Sequence, residues 1–388
     1  MGSMGGDVSM SIPDIATTES GAAASSLRSY SLAGRRGLRV SPLSLGAGTF
    51  GDGWDPAWQS PPEQIDRIIG SYLDAGGNLI DTADLYQLGR SEELVGAYLR
   101  SSGRRDDVVL GTKFGYGGPG DVHKGGNARL TMQRAVEASL RRLATDVIDL
   151  YHVHLWDTLT PVEEVMSSLD ALVRAGKVRY VALSNVPAWY LARAQTLAQW
   201  RGWEPIAMLQ VNYSLLARTI EYEFIDAAQE LGIGLAAWSP LANGLLSGKY
   251  RVNEQGQLEG DGRVTRTWTT DSTVDPAAPS TRRVLDTLAA VAKEIGRTPA
   301  QVALNWVTNR PGVVTTVIGA RTEAQLRDNL AALDFELPAV LAQRLDEAGR
   351  PSPQYPYSYF TDAFQDGMVR AGLPVRSEPK GYRGPGYR

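Results

Sequence analysis

Four side chains in this sequence suit a single reaction between them: Asp81, Tyr86, Lys113 and His154. A free tyrosine has a pKa of about 10 and is a poor acid at neutral pH. A lysine ammonium held beside the phenol favours the phenolate and lowers that pKa. A carboxylate paired with the lysine fixes its position and charge. A histidine next to the phenol shares its proton or orients a carbonyl oxygen. The set therefore suits protonating a carbonyl oxygen while another group attacks the carbon. None of the four is an evident nucleophile, so the attacking group is expected from a cofactor, most simply as a hydride. Each residue alone has a plainer reading. Asp81 fits a turn or cap, Tyr86 fits packing, and His154 fits a hydrogen-bonded core position. Lys113 is harder to set aside, because a lysine ending an apolar run needs a partner. The joint pattern is what favours chemistry.

These residues end strand-like runs. Residues 78–81 end at Asp81, 107–113 at Lys113, and 180–185 at Ser184 and Asn185. Residues 147–157 (Val-Ile-Asp-Leu-Tyr-His-Val-His-Leu-Trp-Asp) begin as a buried strand and pass through His152 and His154, which share a strand face. Chemistry gathered at the carboxyl ends of successive strands is the habit of a parallel β/α barrel. Such a barrel brings Asp81, Lys113 and His154 into one mouth, with Tyr86 in reach.

The rest of the chain fits an α/β fold of eight such units. Residues 28–40 read as a β-hairpin ahead of the barrel, and 42–50 as its first strand. Later strands are expected at 78–81, 107–113, 147–153, 178–183, 206–211, 233–238 and 313–318. Helices are expected at 61–76, 91–102, 130–144, 161–175, 187–200, 219–231, 281–296 and 299–309, with one starting at Thr322 and a closing helix at 339–349. Ser91 before Glu92 and Glu93 reads as a cap, and Pro161 as a first-turn proline. The seventh connection, 239–280, is too long to be a mere link. Residues 1–27 read as a disordered leader, 28–349 as the barrel domain, and 350–388 as an extension packing on or near it. Tyr355, Tyr357, Tyr359 and Phe360 of the extension are expected to close over the mouth.

Composition narrows the function. The chain has 388 residues, 43% of them hydrophobic, and a formal charge of −4. That balance offers no attraction for nucleic acid or an anionic membrane. Cysteine is absent, which excludes disulfides and thiolate chemistry. Apolar runs fall short of the roughly 20 residues of a membrane helix, and the leader lacks the pattern of a signal peptide. A cytoplasmic protein is expected, with an oligomer left open.

Two motifs point elsewhere. Gly115 to Gly120 fits G-x-G-x-x-G after a strand, but Pro119 interrupts it and no helix follows, so it reads as an active-site loop. His152-Val153-His154 has a spacing that can ligate zinc, as in a metal-dependent barrel hydrolase. Only His123 remains as a further histidine, so no metal site is expected.

The chain resembles the aldo-keto reductases, in the branch that includes potassium-channel β subunits and many bacterial reductases. The resemblance is carried by 76–86 (Gly-Gly-Asn-Leu-Ile-Asp-Thr-Ala-Asp-Leu-Tyr), 111–114 (Gly-Thr-Lys-Phe), 148–154 and 183–185. Residues 210–216, 238–250 and 318–329 carry it further. It implies a (β/α)8 TIM barrel with Tyr86 as acid, Lys113 and Asp81 as its tuning pair, and His154 as the oxygen-orienting partner. It also implies NADPH across the barrel mouth. By that resemblance Ser184, Asn185 and Gln210 hold the carboxamide, and Trp238 stacks on the nicotinamide. Ser239, Leu241, Gly244 and Lys249 line the pyrophosphate, while Gly319, Arg321, Gln325, Asp328 and Asn329 hold the adenosine end. Thr49 and Pro240 complete the set, with Arg263 or Arg266 from the seventh loop. Arg321, just before a helix, suits a 2′-phosphate, because guanidinium and helix N-terminus both favour the anion.

The expected function is NADPH-dependent reduction of an aldehyde, ketone or keto-sugar, a small-molecule carbonyl substrate. Trp54, Trp58 and Trp156, in loops after the first and fourth strands, are the candidate substrate walls. His152 stands where many relatives carry glutamine or tryptophan. The alternative is an NADPH-binding sensor subunit with little turnover.

Overall fold

The computed structural model describes residues 26–118, 120–253, 255, 257–260, 274, 275, 278–352 and 354–373. Eight parallel strands close a barrel: β1 (Leu43–Gly46), β2 (Leu79–Asp81), β3 (Val109–Phe114), β4 (Ile148–Val153), β5 (Val178–Ser184), β6 (Ile206–Asn212), β7 (Gly234–Trp238) and β8 (Val313–Ile318). They neighbour one another in chain order, and β8 pairs with both β7 and β1. Covered on both faces, these strands carry near-continuous apolar runs; every residue of β4 is buried.

Helices ring the barrel because their apolar residues recur on one face. The first, α1 (Pro62–Asp74), buries Ile65, Ile68, Ile69, Tyr72 and Leu73. Its Tyr72 hydroxyl lies 2.9 Å from Leu43 O, 3.0 Å from Leu79 O and 3.2 Å from Leu79 N, tying the helix to the starts of β1 and β2. A side chain on Gly77 would meet the Tyr72 ring at 2.2 Å, so glycine is required there. Next come α2 (Arg90–Ser102), α3 (Arg129–Leu143), α4 (Val162–Arg174), α5 (Ala188–Arg201) and α6 (Phe224–Leu231). The ring ends with α7 (Pro279–Glu294), α8 (Pro299–Thr308), α9 (Glu323–Leu330) and α10 (Ala339–Gly349).

A two-stranded antiparallel hairpin, Ser31–Leu32 with Arg39–Val40, closes the end where the strands start. Its Ala33 and Val40 pack against Leu79, Leu150, Ala182, Met208 and Ala236 of the barrel interior. One end is thus sealed, and the chemistry is left at the other, as in barrels generally.

Several local expectations give way. Ser91 is not a cap: Gly89, at φ 93°, precedes α2, and the Ser91 hydroxyl donates to Ala47 O at 2.7 Å. Pro161 stands at the N-cap of α4 rather than inside its first turn. The helix expected over 219–231 breaks at Glu223 into a 3-10 turn, Thr219–Tyr222, and α6. The seventh connection contains a short 3-10 segment, Ala242–Ser247, and a hairpin of Tyr250–Val252 with Leu258–Gly260. In the extension, Tyr357 packs on Tyr222 with ring centres 4.9 Å apart, and the Tyr222 hydroxyl donates to Ser352 O at 2.7 Å.

Replacing Tyr72 with Phe removes the buried hydroxyl that bridges the backbone of β1 and β2. Chemical denaturation should show about 1–3 kcal/mol lower stability, with steady-state kinetics unchanged.

Candidate active site

The open end of the barrel is built around Lys113 near the end of β3, which is fully buried. Its ammonium donates to Asp81 Oδ2 at 2.5 Å, Thr82 O at 2.9 Å and the Tyr86 hydroxyl at 3.2 Å. Three donors meet three acceptors, so the buried cation is satisfied. The second Asp81 oxygen accepts from Gln210 Nε2 at 2.9 Å. Burial alone would lower the Lys113 pKa, but Asp81 and Tyr86 outweigh it and hold it above its ordinary value. The side chain therefore stays charged.

Burial also dominates Tyr86. It pushes the phenol above its ordinary value, and Lys113 only partly pulls it back. The lysine does lower it, as expected, but the loss of solvent around the phenol outweighs that pull. Tyr86 thus keeps its proton at neutral pH. His154 is held well below the ordinary imidazole range by burial, helped by Lys113 and His152. His152, one layer deeper beside Lys113 in the barrel, is pushed down to about 3 by burial. Both imidazoles are neutral.

The His154 ring lies edge-on to Tyr86 with centres 5.7 Å apart, and to Tyr116 at 4.6 Å. Trp54 meets Tyr86 edge-on at 5.9 Å. Asn185, at φ 51°, joins three strand ends: it donates to His154 O at 2.9 Å and to Ser184 Oγ at 3.0 Å, and accepts from Trp238 Nε1 at 3.2 Å.

A cavity of about 640 Å³ opens over these groups. Asp81, Tyr86 and His154 line its floor with Trp54, Trp58 and Tyr116, while Lys113 stands behind them. Ser184, Asn185, Gln210 and Trp238 form its middle. Thr49, Ser239, Pro240, Leu241, Gly244 and Lys249 line it, as do Gly319, Arg321, Gln325, Asp328 and Asn329. A side chain on Gly244 or Gly319 would meet nothing within 4 Å, so the cavity has room at both. At the Arg321 end, Thr322 caps α9 and the Arg321 guanidinium donates through Nε to Gln59 O at 2.7 Å. A cavity of this size, lined by a tryptophan and by a cation beside a helix start, has groups suited to a dinucleotide.

Trp156 lies elsewhere. It lines a second cleft of about 220 Å³ with Trp189 and Tyr190, because its ring packs edge-on against Trp189 at 5.8 Å. Arg263, Arg266 and Pro119 lie outside the described residues. Among the described residues, no extension side chain lines the main cavity, and no three His, Asp or Glu gather as a metal site. Tyr116 and Gln87 escaped the sequence reading. The signal for Tyr116 was there, an aromatic inside the glycine run after Lys113; for Gln87 there was none.

The aldo/keto reductase family model matches residues 42–350. The chain belongs to the aldo/keto reductase family. Among relatives of this reductase, an uncharacterised oxidoreductase of Bacillus subtilis (strain 168) is 36% identical over 329 residues, covering 82% of this chain and 95% of its own. An aryl-alcohol dehydrogenase (NADP+) of Phanerodontia chrysosporium is 33% identical, covering 86% and 89%. A probable voltage-gated potassium channel subunit beta of Arabidopsis thaliana is 33% identical, covering 85% and 99%. Among the described residues no helix is long and apolar enough to cross a membrane.

Asp84 lies between Asp81 and Tyr86 and carries a buried oxygen, Oδ1, without a hydrogen-bond partner. Burial, then the nearby Glu92 carboxylate, push it up to about 7. The unfolded chain ionises it near pH 4, so the native state binds the extra proton between those values. Its stabilising contribution is complete below about pH 4 and lost as pH rises through about 7. Discounting for its partial exposure, Asp84→Asn should exceed wild type by about 1–2 kcal/mol near pH 8. Urea unfolding should show that gap closing near pH 4.

Proposed function

We propose that this protein is an NADPH-dependent carbonyl reductase acting on an aldehyde or ketone through Asp81, Tyr86, Lys113 and His154. The observation that carries the reading is the Lys113 ammonium, bonded at once to Asp81 and to the Tyr86 hydroxyl on the cavity floor. A nicotinamide bound there supplies the hydride that attacks the carbonyl carbon.

The chain's own groups handle the oxygen. Tyr86 donates its hydroxyl proton to the carbonyl oxygen as negative charge builds there. Lys113 stabilises the phenolate left behind, and Asp81 keeps Lys113 in place. Neutral His154, edge-on to Tyr86, faces the same oxygen without competing as an acid. Trp54, Trp58 and Tyr116 give the floor aromatic walls suited to a carbonyl on an aromatic or apolar carrier, or to the face of a sugar ring. The name of the Phanerodontia relative supports an aryl carbonyl and NADP(H). Arg321 beside the start of α9 favours the 2′-phosphate that separates NADPH from NADH.

Loss of NADPH absorbance with aromatic aldehydes and ketones tests this. Wild type should turn over, and Tyr86→Phe should lose about 100-fold or more in kcat. Arg321→Ala should weaken NADPH at least about tenfold while leaving NADH nearly unchanged. Turnover surviving in Tyr86→Phe contradicts the acid role. Tight NADPH binding with no reduction favours a cofactor-holding subunit, the reading that the Arabidopsis relative supports.

A further inference from the structure

Next to the acid stands a residue with no part in the chemistry above. Gln87 is 1% exposed, yet its backbone is left-handed, at φ 52° and ψ 35°. Leu88 follows at φ 59°, although its own side chain is 74% exposed and gains little from the turn. Two such residues in succession are costly, and persist where surrounding contacts impose them. Those contacts converge on the Gln87 amide. Nε2 donates to Gly48 O at 3.1 Å and to Trp58 O at 3.0 Å, and Oε1 accepts from Trp54 N at 2.9 Å. Two carbonyls and one N–H as partners leave the amide a single orientation.

All three partners belong to the loop after β1. The backbones also approach too closely for side chains. A Cβ on Gly53 would lie 2.4 Å from Gln87 O, and one on Gly51, at φ 134°, 2.7 Å from the Gln87 Cβ. This loop carries Trp54 and Trp58 to the cavity, and Trp54 is set edge-on to Tyr86.

We propose that Gln87 is a positioning residue that latches the β1 loop to the acid, so that one amide sets both the Trp54–Trp58 wall and its distance from the Tyr86 hydroxyl. It acts first on how the carbonyl substrate is held. The inference rests on the reductase reading for its kinetic consequence, and on the hydrogen bonds alone for its structural one.

The test uses the full chain with NADPH and 4-nitrobenzaldehyde, comparing Gln87→Met, Gln87→Glu and Tyr86→Phe. Losing three buried hydrogen bonds from the wall should raise KM for the aldehyde about tenfold or more in Gln87→Met, with kcat within about threefold and the NADPH Kd within about twofold. Gln87→Glu keeps the length and the acceptor. Burial against the Gly48 and Trp58 carbonyls favours its neutral carboxyl, which restores one donated bond as pH falls, so its KM defect should shrink from about pH 8 toward about pH 5. Gln87→Met should show no such recovery. Amide exchange over 48–60 gives a reading that needs no turnover: it should quicken in both variants near pH 8, while exchange over 242–249 stays as in wild type. A folded Gln87→Met with unchanged KM and unchanged exchange overturns the latch, as does an NADPH Kd that rises in step with KM. Wild type that does not turn over overturns the reductase reading instead, turnover retained in Tyr86→Phe overturns the acid role, and either leaves the exchange result to decide the latch.

Discussion

The site depends on keeping one charge out of water. Lys113 is fully buried, and burying an ammonium costs several kcal/mol unless its partners replace the lost solvent. Asp81, Thr82 O and the Tyr86 hydroxyl replace it, and Gln210 holds the other face of Asp81. Lys113 stands on β3 and its partners come from β2, the turn after it and β6, so no local segment can assemble them. The closed barrel does, by fixing register: Asp81 pairs across from Gly111, and Lys113 from His152.

The same burial sets the proton positions. Loss of solvent raises the Tyr86 phenol and lowers both imidazoles, so beside the charged Lys113 the phenol keeps its proton and the imidazoles stay neutral at neutral pH. The lysine contributes later, when a phenolate appears beside it. Division of labour then follows the loops. The β1 loop and Tyr116 give the cavity aromatic lining, and the segments after β7 and β8 supply polar and cationic lining. Sealing the other end with a hairpin concentrates all of this at a single mouth.

Much of this was legible in the sequence, for a physical reason. Parallel barrel strands are buried on both faces and read as apolar runs, so the eight strands emerged nearly in place. Reactive residues ending such runs marked the mouth, and Asp81, Tyr86, Lys113 and His154 do meet there. Caps were less legible, because the same letters serve inside a helix: Ser91 bonds to Ala47 O rather than opening α2. The break at Glu223 carries no signature. Trp156 follows a strand as a mouth residue does, but packs with Trp189 in another cleft. The net shift of Tyr86 was not legible, since sequence shows which charges are near but not how much water is lost. Gln87 shows the same limit: a polar residue in a turn looks solvated until its three partners, distant in sequence, are seen.

The most direct measurement of the Tyr86 role is the pH dependence of kcat/KM for the wild-type enzyme at saturating NADPH. With a phenol held above its ordinary value as acid and neutral imidazoles beside it, the profile should stay flat from about pH 6 to about pH 9 and fall only as the phenol itself ionises. A fall centred near pH 6.5, in the range of an ordinary histidine, would mean that an imidazole supplies the proton and would contradict the assignment of Tyr86.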